Sequence, residues 1–409
     1  MAGDRRAVIV AVTFCHSHLA SIVRDSPPTW GLSGAVANKQ WHRIQMDDVV
    51  TADEARDLLA DRLVDSTIPA LELLSVHLGL ELGLYRAIDG GITEDELASR
   101  AGIAPRYARE WLEHQTVAGF LDCDDASRAA PNRVYRMPPG HAEVLLDTDS
   151  PYHTAPLATI LAGLARAMPL LPDAFRTGGG VPYSAYGAEI RDGIRALNRP
   201  SFVQDLGSTW LPAMPDVVAR LAAEPSARVL DLGCGEGSST IALARAYPLI
   251  QVTGVDLDAP SIAAARAAVA RAGLDGRVTF EVGDASRRSN RGPFDLATIF
   301  EALHDMGDPV GVLRTVRANL TERGVLFIAD ERVADEFTPT PDAVERMQYG
   351  FSVLHCLPAT MAEDPVEAAG TVLRAPTVDR WAAEAGFAAC TRVPIEHDFW
   401  QFYRMDREP

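Results

Sequence analysis

The chain has 409 residues, 47% hydrophobic and 23% charged, with a formal net charge of −18 and a pI of about 5.0. That length suits two or three domains rather than one, and the composition can build a packed core. The acidity repels phosphate backbones and argues against generic nucleic-acid binding.

Cysteine usage adds a further exclusion. Cys15, Cys123, Cys234, Cys356 and Cys390 are scattered, odd in number and free of any CxxC pair. Neither a disulfide framework nor a metal site is expected, and a reducing, cytoplasmic location fits. The apolar runs are short for a membrane span.

Residues 1–45 carry Arg5, Arg6, Arg24, Lys39 and Arg43 against Asp4 and Asp25 and show no sustained amphipathic period. "RRAVIVAVTFC" has the basic-then-apolar order of a signal peptide, but the apolar stretch is short and no small-x-small cleavage site follows. A disordered extension is expected, with the first patterned segment opening at Met46.

From Thr51 to about Ile88 the spacing of Leu58, Leu59, Leu63, Leu71, Leu74, Leu78 and Leu82 predicts helix, broken at Gly90–Gly91. Next comes a helix–turn–helix. Thr93 and Glu96 form a capping-box pattern, Gly102 marks the turn, and the second helix runs from Arg106 to about Ala118. "LDCDDASRAAPNRVYRM" then reads as a hairpin, completing a winged helix over 46–148. A groove-reading helix would show an uncompensated basic face. Here Arg106 and Arg109 are matched by Glu110 and Glu113, and the hairpin adds Asp122, Asp124 and Asp125. Packing and dimerisation are expected of this domain rather than DNA reading. Residues 149–225 read as a helical linker. Its glycine-rich "FRTGGGVPYSAYG" either lines a pocket, through Tyr183 and Tyr186, or is a surface connection.

From Ala227 strands and helices alternate, which predicts an α/β fold over 226–409: a Rossmann-like, doubly wound, mainly parallel seven-stranded sheet. Within it "VLDLGCGEG" places Asp231 at a strand end, followed by Gly233, Gly235 and Gly237. Glycine is needed where backbone turns sharply against a ligand, and the following helix offers free N–H groups. The G-x-G-x-G spacing lacks the register of a dinucleotide fingerprint. "VTGVDLD" and "FEVGDAS" add Asp256 and Asp284 at the next two strand ends. A lone aspartate there is usually a cap or turn residue, whereas three acids at successive strand ends form a specific pattern.

These three motifs resemble the nucleotide-binding motifs of the class I S-adenosylmethionine-dependent methyltransferases. With the upstream winged helix, the chain is similar to the small-molecule O-methyltransferases of plants and actinobacteria. The resemblance implies S-adenosyl-L-methionine as cofactor and a homodimer formed through the N-terminal domain. From the acidity and the short apolar runs, no nucleic-acid or membrane partner is expected. It places Gly233, Gly235 and Gly237 along the methionine portion and Asp231 near its amino group. Asp256 and Leu257 fall at the ribose, Asp284 and Ala285 at the adenine, and Phe300 beside the cofactor.

The stretch "FEALHDMGDP" follows the strand expected to neighbour the first, beyond whose carboxyl end ligands bind. The related enzymes read L-H-D-W-x-D here, and their histidine removes the acceptor's hydroxyl proton. His304, Asp305 and Asp308 match, while Met306 replaces the tryptophan. A phenol with a pKa near 10 is a weak nucleophile until an imidazole, of pKa about 6.5, accepts its proton. Asp330 and Glu331, or Glu301, could orient that imidazole. A packed, capping histidine is the bland alternative. "MQYGFSVLHCLPATMAE" brings Tyr349 and His355, read as acceptor-binding residues, or else as core. The functional expectation is methyl transfer to an aromatic or polyketide-like hydroxyl with His304 as general base. Three rivals stay open: N- or C-methylation, a non-methylating use of the cofactor, and a cofactor-sensing winged-helix regulator.

Overall fold

The computed structural model describes residues 51–287 and 292–407. Residues 1–45, expected to be a disordered extension, lie outside the described residues. The chain divides into a short unit, Met1–Asp61, and a large one, Arg62–Pro409. In the short unit Thr51 opens a helix. Its backbone N–H and its hydroxyl donate to Glu54 Oε2 at 2.9 and 2.8 Å, a local cap.

Helix α1 spans Ala52–Glu81, and only Val76 and Gly79 on it are buried. Leu63, Ile68, Leu71 and Leu78 are 63, 53, 58 and 49% exposed, an apolar stripe without a partner among the described residues. Among the described residues α1 is long and apolar enough to cross a membrane, which the sequence reading did not anticipate. The chain breaks after α1 at Gly83 (φ 66°), earlier than the expected Gly90.

Helix α2 (Glu94–Ala101) has the predicted capping box, with Thr93 and Glu96 bonding reciprocally, and closes on Gly102 at φ 68°. Helix α3 (Pro105–Val117) packs on it through Ala108, Trp111 and Leu112. Strands β1 (Asp122–Cys123) and β2 (Tyr135–Arg136) form the short antiparallel wing. Three arginines of this domain pair with its own acids. Arg109 is bidentate on buried Glu94 at 2.6 and 2.5 Å, Arg133 meets Glu113 at 2.7 Å, and Arg106 pairs with Glu110.

Several helices follow, including α4 (Gly187–Gln204). The sheet then begins. Its strands are β3 (Arg228–Leu232), β4 (Gln251–Asp256), β5 (Val278–Val282), β6 (Phe294–Phe300), β7 (Leu320–Glu331), β8 (Cys390–Arg392) and β9 (Trp400–Asp406). The spatial order is β5-β4-β3-β6-β7-β9-β8. Pairings are parallel from β5 to β7, and β9 runs antiparallel to both β7 and β8. Helices α5 (Ser238–Ala246), α6 (Ala259–Ala272), α7 (Pro309–Asn319), α8 (Ala343–Phe351) and α9 (Ala375–Ala385) belong to the same domain. Asp308 caps α7 by accepting from Gly311 N–H at 2.9 Å, with Pro309 in the first turn. Pro309 is therefore a helix-start residue.

Strand β7 shows why the sheet is buried on both sides. Val325, Phe327 and Ala329 face one core, while Leu326 and Ile328 face the other. Side chains alternate across a strand, so a strand covered on both faces reads as a continuous apolar run. The chain leaves β3 toward β4 and β5 and returns on the far side of β3 as β6. That reversal opens a crevice beyond the carboxyl ends of β3 and β6.

Candidate functional site

The loop after β3 lines that crevice. Gly233, Gly235 and Gly237 have φ of 66, 52 and 82°, a region costly for residues with a Cβ. Their surroundings differ. A Cβ on Gly233 would lie 2.4 Å from Ala302 Cβ, and one on Gly237 2.5 Å from Phe280 Cζ. A Cβ on Gly235 would meet nothing within 4 Å. The outer two glycines permit packing, and Gly235 faces open space. The Gly233–Ala302 contact seats the His304 segment against the glycine loop.

Asp231 is 1% exposed and accepts from Ser239 Oγ (2.7 Å), Thr240 Oγ1 (2.6 Å) and Thr298 Oγ1 (2.8 Å). Thr298 reaches it because the two residues are in register on β3 and β6. Burial pushes the Asp231 carboxyl up and the three hydroxyls partly offset this. The acid thus sits beneath the loop, clamping it to α5 and β6. Asp256 Oδ2 accepts from Gly235 N–H and its Oδ1 from Asp258 N–H, both at 2.8 Å. Leu257 beside it is 54% exposed. Asp284 Oδ1 accepts from Ser286 N–H and Oγ at 2.8 and 2.7 Å, and Ala285 packs on the core.

Four carboxylates from separate loops converge here. Glu363 is raised by partial burial and then by the negative field of Asp305, Asp284 and Asp256. The Tyr183 phenol is raised by burial and by Asp256, Asp305 and Asp258. Like charges gathered this way favour a cationic ligand. Glu363 was not anticipated, since only the fold brings it to the strand ends.

His304 is 3% exposed. Its Nδ1 lies 2.7 Å from Asp330 Oδ1, and its Nε2 lies 3.5 Å from Asp305 Oδ1. Burial alone would lower its pKa, but Asp330 and Asp305 outweigh that and hold the imidazole well above its usual value. Glu331 was expected to share this role; the ring's hydrogen bond goes to Asp330, while Glu331 and His304 interact only through their charges. Successive side chains on β7 point to opposite faces, so Asp330 reaches the histidine. Glu331 instead accepts from Gln348 Nε2 and couples to Glu301, which also accepts from Trp400 Nε1 at 3.1 Å. Burial raises both glutamates; the charge of Glu301 raises Glu331 further, while hydrogen bonding to Glu331 lowers Glu301. Glu301 holds an unusual φ of 52°.

Phe300 was expected beside the cofactor. Its ring instead packs 5.7 Å from Phe202, 6.0 Å from Trp210 and 5.7 Å from Phe327, 5% exposed. The alternation of β6 turns it into the core.

Beyond α8 the chain forms a π-helical turn, Ser352–Cys356, and a short helix, Leu357–Met361. The glycine-rich loop docks there through Val181 N–H on Pro358 O at 2.8 Å. Val181 itself is buried, whereas Gly178 and Gly179 are exposed. Tyr186 edges the His355 ring at 4.6 Å and Tyr183 lies 5.6 Å from it. Tyr186 spends its hydroxyl on Leu354 O at 2.9 Å. Tyr349 belongs to another network, accepting from Arg374 at 2.9 Å beside Glu345. His304, Asp305 and Cys356 bring ligand-type atoms within 4.8 Å of one another. Burial and Asp305 push the thiol up to about 12. Two other hollows, of about 490 and 1080 Å³, are lined by other residues, around His77 and around His397.

Comparisons with known proteins agree with this architecture. A family model described as a methyltransferase domain matches residues 223–381, and one described as an Rv2258c-like winged HTH domain matches 72–146. Among curated proteins, the ubiquinone biosynthesis O-methyltransferase of Xanthomonas campestris is 32% identical over 118 residues. That match covers 29% of this chain and 48% of that protein. Ribosomal RNA small subunit methyltransferase C of Escherichia coli is 32% identical over 152 residues, covering 36% of this chain and 40% of that one. The polyketide synthase ThaQ of Burkholderia thailandensis is 30% identical over 107 residues, covering 26% of this chain and 5% of that protein. The chain thus spans less than half the length of these relatives. Among solved structures, the mitomycin 7-O-methyltransferase MmcR superposes with a TM-score of 0.61 at 21% identity, covering 87% of this chain and all of that one. The O-methyltransferase NcsB1 superposes at 0.55 and 20% identity, covering 82% and 95%. It was solved with S-adenosyl-L-homocysteine and 1,4-dihydroxy-2-naphthoic acid.

Proposed function

We propose that this chain, a methyltransferase domain behind a winged HTH domain, is an S-adenosylmethionine-dependent methyltransferase acting on a hydroxyl of a small aromatic or polyketide-like molecule. The observation that carries the reading is the crevice itself: a glycine cradle open at Gly235, a ring of carboxylates, and a histidine–aspartate pair set against it. The cofactor is a cation with an ammonium group, a ribose and an adenine, and the crevice fits each part. Asp256 retains lone pairs for ribose hydroxyls, exposed Leu257 offers an apolar surface, and the loop of Asp284 and Ala285 stands at the adenine end. Asp231 acts indirectly, by fixing the loop. When bound, the cofactor supplies an electrophilic methyl on a positively charged sulfur.

The protein's share is positioning and proton handling. Asp330 holds His304 by Nδ1, so Nε2 is the atom that exchanges a proton with the acceptor's hydroxyl. The two carboxylates make His304 a stronger base than free imidazole. Glu331 and Glu301 support the strand ends. N-methylation would need no such base, so the His304–Asp330 pair favours oxygen.

The experiment is incubation with methyl-labelled cofactor and a panel of phenols, hydroxyquinones and amines, with products read by mass spectrometry. Labelled O-methyl products are expected. Label on amines alone would overturn the oxygen assignment.

The exposed stripe of α1 supports a homodimer. A span by α1 would bury Asp65 and Glu72 in lipid, whereas a second copy covers the leucines and leaves those acids at the rim. Leu71→Glu with Leu74→Glu is expected to convert a dimer to a monomer in sedimentation at micromolar concentration. Recovery of the wild type in the membrane fraction would overturn the dimer reading. Internal pairing of Arg106, Arg109 and Arg133 counts against the regulator alternative, and a cytoplasmic location fits the proposed chemistry.

A further inference from the structure

A cluster of metal-type donors forms where two segments far apart in the chain meet. His304 and Asp305 follow β6, whereas Cys356 ends the π-helical turn beyond α8. One donor atom of each residue lies within 4.8 Å of the other two. Asp330 takes His304 Nδ1 at 2.7 Å, so the nitrogen available to the cluster is Nε2. Thr360, 2% exposed, staples the two segments: its hydroxyl donates to Cys356 O at 2.9 Å and to Asp305 O at 3.3 Å.

One of these donors is an orphan. Asp305 Oδ1 is buried and has no hydrogen-bond partner among the described residues. Buried polar atoms are nearly always satisfied, so an orphan inside a donor cluster points to a ligand. His304 Nε2 lies 3.5 Å from it, longer than an ordinary N–H···O bond. That spacing suits an ion between the two atoms. A tetrahedral zinc, with bonds of about 2.1 Å to nitrogen or oxygen and about 2.3 Å to sulfur, keeps its donors about 3.4–3.6 Å apart. A small side-chain rotation brings Cys356 Sγ into that range.

The chemistry of the set agrees. One nitrogen, one oxygen and one sulfur suit zinc rather than magnesium or calcium, which take oxygen. A carboxylate and a thiolate balance a divalent charge, as buried charges require. Asp330 behind His304 completes the carboxylate–histidine–metal arrangement that orients such a ligand. His304 and Cys356 are 3 and 6% exposed, but the Asp305 side chain is 39% exposed, so an ion can enter there.

Resting on the methyl-transfer reading above, we propose that His304 Nε2, Asp305 and Cys356 form an inhibitory site for a thiophilic divalent cation of the zinc type. Ion and acceptor compete for one atom. The nitrogen that exchanges a proton with the acceptor's hydroxyl is the nitrogen that binds the ion. On binding, the Cys356 thiol and any protonated His304 Nε2 release their protons to solvent, and three bonds to the ion form. Burial holds the thiol proton in the absence of the ion, and the ion's own charge displaces it.

The test uses the full-length protein freed of metal by a chelator, with zinc chloride or cobalt chloride alone as probe. Calorimetry is expected to show one zinc per chain, and cobalt to give the near-ultraviolet absorption band of a thiolate–metal bond. Cys356→Ser should abolish that band and weaken zinc at least about ten-fold. Asp305→Asn, at a partly exposed side chain that spares the fold, should weaken zinc by a similar factor and keep the band. Cys390→Ser, on the edge strand β8, should change neither. In the labelled-methyl assay zinc should inhibit competitively with the acceptor, and Cys356→Ser should need at least about ten-fold more zinc for equal inhibition. Absence of zinc binding overturns the site, as does affinity that survives unchanged in both Cys356→Ser and Asp305→Asn. Faster methyl transfer with zinc overturns the inhibitory role. If the metal-free protein methylates no acceptor, the inhibitory role falls with the methyl-transfer reading, while the cobalt band still decides the site.

Discussion

Gly235→Val is expected to give a folded protein that no longer binds S-adenosylmethionine measurably by calorimetry, a loss of at least about a hundred-fold. Two effects add. A β-branched residue at φ 52° is strained by roughly 1–3 kcal/mol. Its side chain also projects where nothing of the protein lies within 4 Å, into the space assigned to the ligand. The same openness spares the fold, because no core atom is displaced. Gly237→Val is the contrasting control. Its Cβ would come 2.5 Å from Phe280 Cζ, so it should lower the melting temperature as well. Unchanged cofactor affinity in Gly235→Val would remove the glycine loop from the binding site.

His304→Ala is expected to cut kcat by about a hundred-fold or more, the usual worth of a positioned proton acceptor, with cofactor affinity little changed. The pH dependence is the sharper readout. Because Asp330 and Asp305 raise the His304 pKa, the basic form becomes available only as pH rises through that elevated value. In wild type, kcat/KM should therefore climb with pH, with its inflection above 6.5. Asp330→Asn removes one source of the shift and the partner at 2.7 Å. Its inflection should move to lower pH while the maximal rate falls by about ten-fold or more, since the ring loses its orientation. The same proton affects stability in a defined direction. A raised folded-state pKa stabilises most below the unfolded value of about 6.5 and fades as pH climbs through the folded value. Asp330→Asn should thus destabilise more at pH 6 than at pH 10. A flat rate profile with near-full turnover in His304→Ala would return this residue to a packing role.

Much of the cofactor domain was legible because its signals are local. The bounds of α5 and α6 follow from apolar spacing and flanking glycine, and the capping box at Thr93 is a four-residue pattern. The acids at the ends of β3, β4 and β5 stand out because turn chemistry is written in adjacent residues. Other expectations depended on direction, which no local pattern carries. Asp330 and Glu331 are neighbours with equal claims in the sequence. Strand pairing aims one at His304 and the other at Glu301. Phe300 closes a strand that points at the site, yet its ring belongs to the aromatic core. Tyr349 lies in the right segment and is drawn off by Arg374.

What the sequence determined by itself was therefore the kind of machine: a winged helix, a doubly wound sheet, and a glycine loop followed by acids in order. These are consequences of periodicity and backbone chemistry over a few residues. Only the tertiary structure decided which side chains meet. It seated Ala302 on Gly233, gave His304 to Asp330, gathered Glu363 with Asp256, Asp284 and Asp305, and left His355 Nε2 without a partner among the described residues. Those outcomes depend on register between strands far apart in the chain, and on which face each residue takes when both faces of the sheet are buried.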